Sequence, residues 1–282
     1  MKKPIVELLL VKLSIFASIF IIDNQTYFMK ITRITMVFAF AMLFIGSVHA
    51  QTEQELYKIG LKYKKQINNP KMLETFKKLC AMDSTNVDYM SNLSFAYSKV
   101  GANLSEESKQ LKYYAKAKKI AGKAKKANDK HAFAHYAYAL ALARENENAK
   151  TKVKIINAKE IKKECDRALA LDPTLAGAYH IMARWHRTFA GFSNFEKAMV
   201  NTFYGGVPKG GSYKDALEMF QKAIKLEPWY MLHTYELAVT YHEMGKDDYA
   251  KKFVEKAMTL PQKYEDAKLC YKKCEKLKAE LK

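Results

Sequence analysis

Small and aromatic residues recur at a spacing of 34 residues through most of the chain, and this period constrains the fold more than any other feature. Ala250 and Ala257 have counterparts 34 residues earlier in Ala216 and Ala223, and Pro228 closes that earlier unit. The spacing within each set follows one face of a helix. A fixed period of this length is typical of stacked helical units, each of which buries its apolar stripe only against its neighbours.

Repeating this step toward the N-terminus identifies five helix pairs. The second helices have small or aromatic residues at matching positions: Phe76; Ala117, Ala121 and Ala124; Ala168 and Leu171; Ala216, Phe220 and Ala223; and Ala250, Val254 and Ala257. The pairs stay in phase if 11, 10 and 21 residues are inserted between the two helices of the second, third and fourth pairs. Because a loop can lengthen without disturbing the packing of the helices that it joins, we expect loops there.

These positions follow the tetratricopeptide pattern of W-x2-L-G-x2-Y, then A-x3-F, then Pro. Leu237, Ala238 and Tyr241 match its first half. The chain therefore resembles tetratricopeptide proteins, which implies an all-α fold, a right-handed superhelix of about five helix pairs. Residues from about Tyr264 to Lys282 have no partner helix and are predicted to form a C-terminal capping helix. An irregular helical bundle is the alternative, whereas 11 glycines and 6 prolines are too few for a sheet protein of this length.

The N-terminus has the features of an export signal. A start at Met29 would place two basic residues before the apolar run Met36–Ile45, and small residues precede a predicted cleavage after Ala50. We therefore interpret 1–50 as a signal segment and 51–282 as the repeat domain, and we expect a periplasmic or secreted protein. If residues 1–50 are retained, they would instead anchor the protein in a membrane.

The formal charge of +19 comes from lysine, since the chain has only five arginines. Specific nucleic-acid recognition relies on bidentate arginine contacts, so we expect no specific nucleic-acid partner. A solvated lysine surface, an acidic partner and an anionic membrane surface remain as explanations of the charge. The basic stretches 109–126 and 150–163 are amphipathic, and they carry the membrane-surface alternative.

From about Tyr179 onward, the chain has motifs of the regulator of microtubule dynamics family. Arg184-Trp185 match its G-R-W start, and residues 203–208 stand at its F-G-x-P-P stretch. Tyr213 and Ala216 match its T-Y-x-x-A, with Ser212 in place of the Thr, and Leu260-Pro261 and Glu265-Asp266 resemble its closing L-P and E-D pairs. Residues 204–207 depart from the family's pattern. The resemblance implies the helical fold; a microtubule role is not carried over, because an exported bacterial protein would meet no microtubule.

Side chains of the first helices that point away from the packing seam are candidates to contact a partner. In a concave groove they would bind a protein or peptide with acidic groups. By register these residues are Tyr57, Lys64, Phe95, Lys99, Tyr136, Arg144, His180, Arg184, Arg187, Tyr235 and His242. The alternative is that the aromatic residues among them only pack against neighbouring helices. The sequence leaves the oligomeric state open.

No sequence motif of a catalytic site, a metal site or a cofactor site is present. His131 and His135 share a helix face, but no carboxylate ligand follows them nearby. We therefore predict a non-catalytic extracytoplasmic scaffold without metal or cofactor. The alternative is an enzyme with its site in the 190–211 insert, using His186 or Tyr204.

Two further features of the sequence have competing interpretations. The glycines around 205–211 form either an anion-binding turn or, as we favour, a tight turn before a helix capped by Ser212. We expect Cys80 and Cys165 to be buried. The state of Cys270 and Cys274, which lie one helical turn apart, is left open.

Overall fold

The computed structural model describes residues 52–147, 149–203 and 211–281. The chain divides into two compact units, Met1–Glu55 and Leu56–Lys282, and the second contains the repeat domain. The predicted signal segment lies outside the described residues. Among the described helices, none combines the length and the apolar character that a bilayer-spanning segment needs.

Twelve α-helices and no β-strand occur in the part of the chain that the structure describes. They are 52–65 (α1), Asn69–Met82 (α2), Val87–Gly101 (α3), Glu107–Ala127 (α4), Ala132–Glu147 (α5), Thr151–Leu171 (α6), Ala176–Ala190 (α7), Asn194–Phe203 (α8), Tyr213–Leu226 (α9), Met231–Glu243 (α10), Asp247–Met258 (α11) and Glu265–Glu280 (α12).

The helices pack as five pairs, which confirms the all-α, tetratricopeptide-like prediction. The pairs are α1 with α2, α3 with α4, α5 with α6, α7 with α9 and α10 with α11. Each first helix from α3 onward also contacts the first helix of the next pair. Helix α12 packs against α10 and α11, as expected for a capping helix.

Two of the three predicted loop insertions are wrong. Helices α4 and α6 have 21 residues each, against 14 in α2 and α9, so the extra residues extend the second helix. Both helices are, over their whole length, rich in lysine and alanine, which have high helix propensity. The third insertion forms helix α8, and residues 204–210 lie outside the described part of the chain.

Small residues allow close approach of the paired helices, as the repeat pattern predicted. A Cβ atom at Gly60 would lie 2.9 Å from the Phe76 ring, and one at Gly101 would lie 2.8 Å from the Tyr114 ring. In the fourth pair, the buried Trp185 indole donates to the Ala158 carbonyl at 2.9 Å, which links α7 to α6. The aromatic ring therefore fills the space that the small residue opposite it leaves.

The predictions for the helix cap and for the cysteines have mixed outcomes. The Ser212 hydroxyl accepts a hydrogen bond from the Asp215 amide at 3.1 Å, so the predicted cap of α9 is confirmed. The preceding glycine turn lies outside the described residues. Cys165 is buried as expected, whereas Cys80 is only partly buried. Cys270 and Cys274 are free thiols on the buried face of α12.

Candidate functional site

A cavity of about 270 Å³ lies where the first helices of all five pairs meet. Helix α1 contributes Lys64, α3 contributes Phe95, α5 contributes Tyr136, α7 contributes His180 and α10 contributes His233. The turns between successive pairs complete the wall. Because the period brings one face of each first helix to the same side of the array, side chains far apart in sequence line a single space.

Six of the eleven predicted site residues line this cavity: Lys64, Phe95, Lys99, Tyr136, Arg144 and His180. The aromatic members form a connected group with Phe133. The ring centroid of Phe133 lies 5.6 Å from that of Phe95 and 5.5 Å from that of Tyr136. The lining therefore combines basic groups with an aromatic wall.

The other five predicted residues lie outside the lining of the cavity. Arg184 donates to Glu147 at 3.0 Å, and Arg187 pairs with Glu236 at 2.7 Å, so both arginines are engaged within the chain. Tyr57 packs against the rings of Phe76 and Tyr89, Tyr235 packs against the core under α12, and His242 contacts Asp247 at 2.7 Å.

Lys64 is the most unusual charge in the cavity. Its Nζ donates to Asn92 Oδ1 at 2.9 Å and lies 3.4 Å from the centre of the Phe133 ring, and it forms no ion pair with another described residue. Burial lowers its pKa from 10.5 to about 7, although the more distant Asp88 and Glu227 oppose the shift. The charged form of this amine thus contacts an amide and a ring, and Asp88 and Glu227 favour its charge without forming an ion pair with it.

Arg144 adds a second polar group that lacks a complete set of partners. Its Nη1 donates to Glu147 at 3.0 Å. Its Nε atom is buried and has no hydrogen-bond partner among the described residues. A buried guanidinium donor without an acceptor is costly, so this side of the cavity favours an acceptor such as a carboxylate oxygen.

Two histidines from different pairs meet at the wall of the cavity. His180 Nδ1 lies 2.8 Å from His233 Nδ1, and His233 Nε2 lies 3.2 Å from Glu227 Oε2. At this distance one of the two Nδ1 atoms donates a hydrogen bond to the other. Burial, followed by the charges of His233 and Arg184, holds the pKa of His180 well below 6.5. His180 is therefore neutral at physiological pH.

The histidines suggested as alternative sites have structural partners. His131 lies 3.0 Å from Asp88, and His135 lies 2.5 Å from the buried Glu164. His186 packs edge-on against Trp185, and Tyr204 lies outside the described residues. Among the described side chains, no group of three or more His, Cys, Asp or Glu residues is arranged to hold a metal ion.

Sequence reasoning missed the contributions of the turns between pairs. Glu227, Trp229 and Tyr230 reach the cavity from the turn before α10, and Thr174 reaches it from the turn before α7. The periodic pattern assigns no role to these positions, because they lie between units. The prolines that close the third and fourth units, at 173 and 228, mark where the turns begin and were the one available signal.

Comparison with known proteins gives a match over the whole of the repeat domain. A family model described as "Regulator of microtubule dynamics protein 1-3" matches residues 50–282. Regulator of microtubule dynamics protein 3 of Rattus norvegicus is 27% identical over 175 residues, covering 62% of this chain and 37% of the relative. Protein 2 of the same species is 28% identical over 222 residues, covering 77% and 53%. The chain thus spans about half or less of the length of these relatives.

A solved structure supports the fold independently. The crystal structure of TTC0263, described as a thermophilic TPR protein in Thermus thermophilus, superposes with a TM-score of 0.57. The superposition covers 79% of this chain and 98% of that protein at 14% identity. At that identity the likeness shows the tetratricopeptide fold and says nothing of a shared ligand.

Proposed function

Because the chain belongs to the regulator of microtubule dynamics family, we propose that it is a non-catalytic scaffold that binds an acidic segment of a partner protein. The observation that carries the proposal is the Lys64 ammonium, which faces the cavity without a carboxylate of its own. A desolvated cation without a counter-charge is unfavourable. A carboxylate from a partner would remove that cost, and the free energy recovered would contribute to binding.

The remaining lining supports a peptide rather than a compact small molecule. Phe95, Phe133 and Tyr136 offer apolar rings beside the basic groups. At about 270 Å³, the cavity lies below the usual range of sites that enclose a drug-sized ligand, about 300–1,000 Å³. It would accept an anchoring side chain and an adjacent carboxylate while the rest of the segment stays outside.

The cellular location of the protein is part of the same proposal. The basic and apolar segments within 29–50 support export, with Gln51 as the first residue of the mature protein. The partner would then be a protein of the bacterial envelope. The intact mass of the protein from a fractionated native host tests this, since a mass that retains residues 1–50 in the membrane fraction would contradict export and indicate an anchored protein.

A selection of peptides tests the binding proposal while the partner is still unidentified. The full-length protein selects from a random peptide library displayed on phage, in parallel with Lys64→Met and with Lys65→Met. Lys65 is the adjacent, exposed lysine of α1 and serves as the matched control. We expect the wild type and Lys65→Met to enrich sequences that combine Asp or Glu with an aromatic or aliphatic residue.

Affinity measurements then distinguish recognition of the peptide's acidic residues from nonspecific binding. For an enriched peptide, we expect Lys64→Met to weaken binding about tenfold or more, equivalent to about 1.4 kcal/mol, and Lys65→Met to leave it unchanged. Replacing the acidic residues of the peptide by their amides should have the same effect as Lys64→Met. Enrichment without an acidic bias, or equal losses in both lysine variants, would refute the proposal.

A membrane-surface role is the second candidate. Helix α4 has eight lysines against one glutamate, and α6 exposes Val153 and Ile156, 45% and 56% accessible, among further lysines. Exposed aliphatic side chains within a basic face suit the headgroup region of an anionic bilayer. If the Val153→Asp, Ile156→Asp variant co-sediments less with phosphatidylserine vesicles than the wild type does, this role is supported. Co-sedimentation that does not depend on the anionic lipid content would refute it.

A further inference from the structure

The carboxylate of Asp266 is surrounded by donors from distant parts of the repeat array. Asp266 lies in the first turn of α12, and its Oδ2 is 2.5 Å from Lys99 Nζ and 3.4 Å from the Tyr230 hydroxyl. Its Oδ1 accepts from the side-chain amides of Asn69 and Asn103, each at 3.1 Å. Asn69 is 197 residues earlier in the chain, so this contact joins the first helix pair to the capping helix.

The contact is largely shielded from water. The side chains of Lys99 and Asp266 are each 13% accessible. Burial opposes ionisation of Asp266, but the charge of Lys99 and the donated hydrogen bonds outweigh it and hold the pKa of the carboxyl below 3.8. The donors therefore surround an ionised carboxylate, and the charge-assisted hydrogen bonds are of the strong kind.

Three of these four donors also belong to the cavity. Asn69, Lys99 and Tyr230 line it, and the Lys99 ammonium donates to the Tyr230 hydroxyl at 2.8 Å. None of the three lies on α12, the helix that supplies Asp266. Removal of Asp266 would leave an ammonium, a hydroxyl and an amide directed at one point of the cavity wall.

We propose that Asn69, Lys99, Asn103 and Tyr230 form a carboxylate-binding site that Asp266 fills in the free protein and a carboxylate of the partner fills in the complex. The inference rests on the proposed acidic partner and adds the regulation of its site. Asp266 is an intramolecular competitor, whose effective concentration is set by the docking of α12. The incoming carboxylate, an Asp or Glu side chain or a C-terminus, would free the first turn of α12.

Chemical rescue tests the site without any partner peptide. In full-length Asp266→Ala, we expect amide hydrogen exchange in the first turn of α12 and at the end of α3 to accelerate about tenfold or more. Sodium acetate should slow the exchange at the end of α3 again, relative to sodium chloride at equal ionic strength. Adding Lys99→Met should abolish this rescue. Glu275→Ala removes an exposed carboxylate of the same helix, and in this control variant we expect amide exchange at the end of α3 to stay at the wild-type rate with or without acetate.

The opposite result would overturn the site. If acetate has no more effect than chloride on Asp266→Ala, the donors hold Asp266 for structural reasons only. The competition is tested with Asp266→Asn, which keeps the side-chain shape and should bind the selected acidic peptide about tenfold more tightly. Unchanged affinity would refute the competition. Acetate rescue without any acidic enrichment in the selection would instead refute the proposed function and leave the carboxylate site standing.

Discussion

Replacing Lys64 by methionine should make the protein more stable at low pH while weakening partner binding. The folded protein lowers the pKa of this lysine from 10.5 to about 7, chiefly by burial. Below pH 7 the amine is charged in both the folded and the unfolded chain, so the folded state bears the full desolvation cost. Between pH 7 and 10.5 the folded state releases the proton while the unfolded chain retains it, and wild-type stability rises with pH.

The magnitude follows from the shift. At about 1.4 kcal/mol per pKa unit, the full cost would be about 5 kcal/mol. Lys64 is only half-buried, so the actual desolvation cost is smaller than this. Methionine also loses the contacts with Asn92 and Phe133. Because that loss hardly depends on pH, we expect the stability advantage of Lys64→Met over wild type to shrink by about 2 kcal/mol between pH 6 and pH 9.

Urea unfolding followed by circular dichroism at the two pH values measures this difference. The slopes of the unfolding free energy against denaturant should agree between the proteins, so that the midpoints report stability alone. Lys65→Met is again the control, and its difference from wild type should not change with pH. A pH-independent difference for Lys64→Met would refute the view that the cavity holds a desolvated ammonium, and with it the basis of the proposed acidic partner.

Three further predictions test the packing and the buried charges. Gly177→Ala should lower stability by about 1–3 kcal/mol in thermal unfolding, because its Cβ would lie 2.1 Å from the Tyr136 hydroxyl; an unchanged midpoint would contradict this. Glu164→Gln should cost about 3 kcal/mol at pH 7 in urea, because it breaks the contacts with His135 and Lys125 at 2.5 and 2.6 Å. Burial raises the pKa of Glu164 less than these partners lower it, so the wild-type advantage should fade as pH drops below 4.5. Burial also raises the pKa of the Cys165 thiol, which should react with Ellman's reagent only after unfolding; early labelling would show that α6 opens.

The sequence predicted those parts of the fold that the 34-residue period governs. Gly60 opposite Phe76 is an example, because close packing of a helix pair requires a small residue on one helix where the other has a ring. The period could not show that the additional residues of α4 and α6 would join the helix. Phase depends only on the number of inserted residues, and their conformation depends on their own helix propensity.

The candidate site was predictable only in part, for a related reason. Lys64 and Phe95 follow from register, since each sits on the free face of a first helix. Tyr230 and Asp266 do not, because the contact between them and Lys99 joins elements that no repeat relation connects. Arg184 fits the register but is engaged by Glu147, and ion pairing between helices has no periodic signal in one sequence.

The contact of Asp266 with Asn69 changes how the repeat array should unfold and evolve. In an open array each unit interacts only with its neighbours, so the ends fray independently and units can be gained or lost. Here the first pair and the capping helix hold each other across a chain separation of 197 residues. Loosening either end breaks this hydrogen bond to the other, and closing so long a loop has a larger entropic cost than closing the short loops between neighbouring helices. Inserting or deleting one helix pair would move α12 away from α2, so the number of units is fixed by the closure.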